Sequence, residues 1–161
     1  MGRIEFWFSY SWEAFTYNGE HVTFRAFPNR LEKRLSSYQG PVVYKWEGKM
    51  TTGNHKGEDG VYIGQAGDLH GRLRTYRRGT QPSGNKYWRE EFLLKGDIRL
   101  YILKLLSASA KFPGRWEGHD LKEKGLRLGL EGLLIMQERA TRGKTVWIVN
   151  KDKESNEDAD Q

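Results

Sequence analysis

The stretch Tyr62-Ile63-Gly64-Gln65-Ala66-Gly67-Asp68-Leu69-His70-Gly71-Arg72-Leu73-Arg74-Thr75-Tyr76 changes periodicity halfway along, and this constrains the fold more than any other feature. Residues 61–64 read as a short apolar strand that ends on glycine and could pair back with 42–46. Leu69, Leu73 and Tyr76 then fall at i, i+4 and i+7, the spacing of one helix face. Asp68 supplies an N-cap, so a helix over 69–78 is expected to leave directly from a strand end. Arg72 and Tyr76 stand one turn apart on one side of that helix. A guanidinium there can hold a phosphate through two N–H donors. On spacing alone, a core tyrosine beside a surface arginine fits equally well.

Elsewhere the patterns are simpler. The aromatic run Ile4 to Trp12 reads as a strand, Asn18-Gly19 as a tight turn, and His21 to Phe27 as a returning strand, so residues 4–27 look like a hairpin. Leu31 and Leu35 suggest a short helix over 30–37. Val42, Tyr44 and Trp46 share one face of a second strand region. Residues 48–60 hold four glycines and read as a loop. A second helix over 86–95, a strand over 97–106, an irregular stretch over 107–118, a helix over 121–141 and a closing strand over 145–150 complete the reading. Gly125, Gly129 and Gly132 lie on one stripe of the last helix, each costing about 1 kcal/mol relative to Ala. Such a stripe suggests close approach of another backbone.

The expected fold is therefore α+β, a small central, mostly antiparallel sheet flanked by helices in the order ββααβα over residues 39–150. Residues 1–38 form an N-terminal β-hairpin and helix extension packed on that core, and 151–161 a disordered acidic tail.

Charge narrows the partners. The net charge is +6. The last eleven residues hold two Lys against five Asp or Glu, which leaves 25 basic and 16 acidic residues, or +9, in residues 1–150. So basic a body attracts polyanions, nucleic acid above all. With no cysteine there are no disulfides or thiolate metal sites, which fits a reducing, cytoplasmic setting. No run of about 18 apolar residues predicts a membrane span.

The ordered motifs resemble the GIY-YIG nucleases. Tyr62-Ile63-Gly64 matches the family's second motif intact, and Arg72-Leu73-Arg74-Thr75-Tyr76 is similar to the nuclease domain of the excinuclease C repair subunit and to small GIY-YIG endonucleases. The first motif appears as Val42-Val43-Tyr44, its tyrosine kept and its glycine replaced unless Gly40 takes that role. The connection through 48–60 is longer than is usual in the family. Glu131-Gly132-Leu133-Leu134-Ile135 matches the family's metal-binding helix, and Asn150 stands where a bracing asparagine often ends the domain.

The resemblance implies a metal-dependent endonuclease acting on DNA, double-stranded first of all, and a homodimer if it makes double-strand cuts. Glu131 would hold one divalent cation, Mg²⁺ or Mn²⁺, and Arg72 the scissile phosphate. Tyr44 would act as general base, which requires its pKa to fall from about 10. Tyr62 would orient water or phosphate, and Tyr76 takes the position of a His or Tyr in relatives. The residues themselves add that Glu131 is flanked by Leu128, Leu134 and Ile135, a poor setting for an unpaired carboxylate. An ion pair with Arg127 at i−4 would also resolve that, and Glu138 is the rival metal ligand. A non-catalytic DNA-binding module and an RNA-directed nuclease remain as alternatives.

Overall fold

A computed structural model describes residues 5–24, 40–78, 96–112, 114–118, 120–143 and 146–148. The strands are β1 Glu5–Ala14, β2 Thr16–Tyr17, β3 Glu20–His21, β4 Val42–Met50, β5 Asp59–Ala66, β6 Gly96–Phe112, β7 Gly114–Gly118 and β8 Val146–Ile148. The helices are α1 Leu69–Arg78 and α2 Lys124–Arg142. The fold is α+β. One sheet runs β1-β6-β4-β5-β8, with β7 added beside β6, and among the described residues only the β5–β8 pairing is parallel. No helix among the described residues is long and apolar enough to cross a membrane. The helices expected over 30–37 and 86–95, and the acidic tail, lie outside the described residues.

Both faces of β4 are covered, which is why its residues from Val42 to Trp46 are all buried. Val42, Tyr44 and Trp46 face a cluster with Tyr62, Ile98, Leu100 and the α1 residues Leu69 and Leu73. Val43 faces the opposite cluster with Val61, Ile63, Leu103 and the α2 residues Leu130 and Leu134. A strand alternating between two apolar layers loses the polar side of its pattern, as a central strand should. The two helices thus cover opposite faces of the sheet.

Asp68 caps α1 as its sequence position suggests. Its carboxylate accepts from the backbone N–H of His70 and Gly71, both at 3.0 Å. Such a cap contributes about 1 kcal/mol.

The N-terminal hairpin is corrected. Asn18 and Gly19 do turn, with φ of 51° and 81°, but the ladder they close is only β2 with β3. Glu5–Ala14 pairs instead with β6, antiparallel from Glu5↔Lys111 to Ala14↔Tyr101. Alternation fixes a strand's faces but not its partner. Here Phe6, Phe8, Tyr10 and Trp12 pack on the α2 side with Leu103 and Leu105, which decides the pairing. The register shifts between Ser9 and Tyr10, skipping Leu106, and that bulge leaves Leu106 exposed. Val22 and Phe24 meanwhile enter the α1-side core.

Three further expectations change. The stretch 107–118 is not irregular: β6 continues to Phe112 and turns back as β7. The loop expected over 48–60 shrinks, because β4 and β5 pair as far out as Lys49↔Asp59. Gly48 is a packing glycine there, since a Cβ on it would lie 1.8 Å from the Asp97 carbonyl oxygen. Conversely, Gly125, Gly129 and Gly132 meet nothing within 4 Å, so no backbone approaches that stripe among the described residues.

Candidate active site

The β4–β5 ladder sets the two tyrosine motifs against each other. Tyr44 lies directly across from Gly64 and is also paired with Ile102 of β6. The Tyr44 ring lies over Gly64, where a Cβ would come within 2.6 Å of the phenol oxygen and 3.1 Å of Tyr62 Cε1. Only glycine leaves room for it. The Tyr44 and Tyr62 rings stand 6.3 Å apart between centroids, tilted at 44°.

Arg72 reaches the same spot from α1. Leu69 and Leu73 anchor the helix on the sheet, and Arg72 Nε donates to the Tyr44 hydroxyl at 3.4 Å. Residues from two strands and a helix therefore converge. Tyr44 is 0% exposed and Tyr62 8% exposed, whereas Arg72 is half-buried. Of the two phenols, Tyr62 is the one nearer solvent.

Glu131 stands on α2, half-buried, on the helix that covers the other face. One turn before it, Arg127 shows how α2 meets the rim of the sheet. Its Nε donates to Gln65 Oε1 at 3.1 Å, and Nη2 would lie 3.8 Å from a Cβ on Gly67. Only Asp59–Val61 of β5 pairs with β8, so the Tyr62–Ala66 edge has no partner strand among the described residues. Tyr76 lies in the last turns of α1, its side chain outside the described residues, as is the whole of Asn150.

The alternatives for the two carboxylates of α2 separate. Arg127 is not the ion-pair partner of Glu131, because its described bonds go to Gln65 and to the Leu121 and Lys122 carbonyls. Glu138 is held by Lys45 at 3.3 Å and Arg142 at 2.9 Å. It belongs to a charged cluster that clamps the end of α2 onto β4 and β5. Lys45, 4% exposed, contacts Glu47 at 2.6 Å and lies 4.8 Å from the Trp12 ring centroid. Arg142 joins Glu47 and, at 3.9 Å, Asp59. Burial alone would push the Glu47 carboxyl up, but Lys45 and then Arg142 hold it below its ordinary range. Arg142 is raised in turn, its Glu47 contact outweighing the opposing effect of burial. Sequence reading missed this cluster because its members, from Lys45 to Arg142, are joined only by the fold.

No group of three His, Asp or Glu among the described residues is arranged to cage a metal. A single half-exposed carboxylate suits a hard cation that keeps its waters, as Mg²⁺ does. Compared with family models, curated proteins and solved structures, the chain matches none.

Proposed function

We propose that the chain is a metal-dependent endonuclease of the GIY-YIG type that hydrolyses phosphodiester bonds in DNA. The observation that carries this reading is the contact of Arg72 with Tyr44 above Gly64. The arginine of the helix, the tyrosine of the first motif and the glycine of the second meet at one point, although 28 residues separate the first two. The basic body of residues 1–150 supplies the attraction for a polyanion.

In this reading Arg72 binds the scissile phosphate and stabilises the charge that builds on it. Tyr44, buried beneath, fixes the guanidinium plane. Water loses its proton to a tyrosine that has already given up its own, a phenolate, which is Tyr44 as the motif implies or Tyr62 as its greater exposure favours. Glu131 would hold Mg²⁺ or Mn²⁺, which supplies charge stabilisation to the phosphoryl and leaving oxygens. Tyr76 and Asn150 keep the supporting roles the resemblance implies.

One observation favours a second reading. The complete burial of Tyr44, with valine in place of the first-motif glycine, suits a DNA-binding module without chemistry. Incubation with supercoiled plasmid separates the two. Nicking with Mg²⁺, abolished by chelator and by Glu131→Ala, supports the nuclease. Binding without any cleavage in Mg²⁺ or Mn²⁺ rejects it.

A further inference from the structure

A guanidinium that is nine-tenths buried is ordinarily matched by a carboxylate, because an uncompensated charge away from water is costly. Arg127 breaks that rule. It is 6% exposed, yet it makes no ion pair among the described residues. Nε donates to the neutral Gln65 Oε1 at 3.1 Å, and Nη1 to the Leu121 and Lys122 carbonyls at 2.5 Å and 2.7 Å. These bonds fix the guanidinium plane without cancelling its charge. The nearest carboxylate along the chain from Gly67, that of Asp68, is turned onto the α1 amides.

The remaining nitrogen has a direction. Nη2 lies against Gly67, an exposed residue whose missing side chain leaves that nitrogen uncovered. It is not among the sealed, unsatisfied polar atoms. Gly67 joins β5 to α1, three residues beyond Gly64 and five before Arg72. We propose that Arg127 is a second phosphate-binding residue, holding through Nη2 a backbone phosphate of the strand whose scissile phosphate lies at Arg72. The proposal deepens the nuclease reading and rests on it. A preset guanidinium with one nitrogen free binds phosphate with little ordering cost, and contributes to affinity and register without entering the chemistry.

The test is equilibrium binding of a fluorescent DNA duplex to the full chain across a KCl series, in chelator so that nothing is cut. For Arg127→Gln the affinity falls about tenfold at low salt, and the slope of log affinity on log salt decreases by about 0.9, one phosphate's worth. Gly67→Asp guards against a folding defect, because the only neighbour of its Cβ among the described residues is Nη2 at 3.8 Å. Its carboxylate occupies the phosphate position, so the fold keeps or gains thermal stability while duplex affinity drops. The double variant binds no worse than the weaker single one. Arg127→Gln with an unchanged salt slope, or Gly67→Asp with full affinity, leaves Arg127 as a brace of the α2 entry and overturns the proposal. If the unaltered chain has no affinity for the duplex, the nuclease reading itself fails; if it binds and only these variants show no effect, that reading survives.

Discussion

Gly64→Ala tests whether the two motifs are pressed together as tightly as the site requires. The added methyl would sit 2.6 Å from the Tyr44 hydroxyl oxygen, 2.7 Å from Cζ and 3.1 Å from Tyr62 Cε1. All three separations are well inside carbon contact distances of about 3.5–4.0 Å. A tyrosine with space would swing away, but Tyr44 is wholly buried in the α1-side core. Either its ring leaves a favoured rotamer or β4 and β5 part locally, at about 1–3 kcal/mol. For a chain of this size that lowers Tm by about 2–4 °C per kcal/mol, so a fall of about 4–8 °C is expected at the middle of that range. Thermal and urea unfolding should be measured together with Gly67→Ala as control, whose Cβ meets only Arg127 Nη2 at 3.8 Å. Tyr44→Phe in the Gly64→Ala background recovers only part of the loss, since Cζ remains at 2.7 Å. If Gly64→Ala unfolds within about 0.5 kcal/mol of the parent, the close approach is wrong, and so is the geometry on which the proposed active centre depends.

Other outcomes follow from the same structure. Gly129→Ala and Gly132→Ala, facing open space inside α2, should each stabilise the protein by about 0.5–1 kcal/mol in urea unfolding. Because the Glu47 carboxyl is held below its ordinary value of 4.5, its stabilisation is present above that pH and lost as pH falls through the folded-state value. Glu47→Gln should therefore be weaker than the parent by about 1–2 kcal/mol at neutral pH, with the gap closing in acid when urea midpoints are followed against pH. Arg72→Lys should cut plasmid nicking by about 100-fold, while duplex affinity changes far less, since an ammonium keeps the charge but not the planar fork. Rate against pH for Tyr44→Phe and Tyr62→Phe identifies the base as the phenol whose loss removes the rise in rate with pH on the acidic limb.

Local signals in the sequence were sound where one element decides. The Asp68 cap, the Leu69 and Leu73 stripe and the Asn18-Gly19 turn all describe short-range physics, and each stands in the structure. Pairing was legible between 61–64 and 42–46, which lie close in sequence, but not for β1. Nothing in Phe6, Phe8, Tyr10 and Trp12 says that their partner lies in β6 rather than beyond the next turn. Ser107 to Ala110 carries too little apolar character to announce a strand, and is one because β1 and β7 hold it from both sides. Within the candidate site, motif order expects Tyr44, Tyr62, Arg72 and Glu131 together; the described contacts join Tyr44 to Arg72 above Gly64, while Glu131 stands on the helix that covers the other face. The buried, unmatched charge of Arg127 was not anticipated, because an arginine on a helix reads as a surface residue until the fold covers it.

The pairing of β1 with β6 also governs the order of assembly. Ser9 and Ser107 share a hydrogen bond across 98 positions of chain. During synthesis β1 must therefore wait, with its row of aromatic side chains uncovered, until β6 has been made. Non-local closure of this kind slows folding and lengthens the time in which apolar segments can meet wrong partners. The nascent chain is thus vulnerable along β1, and chaperone occupancy or aggregation during translation should concentrate on residues 5–14.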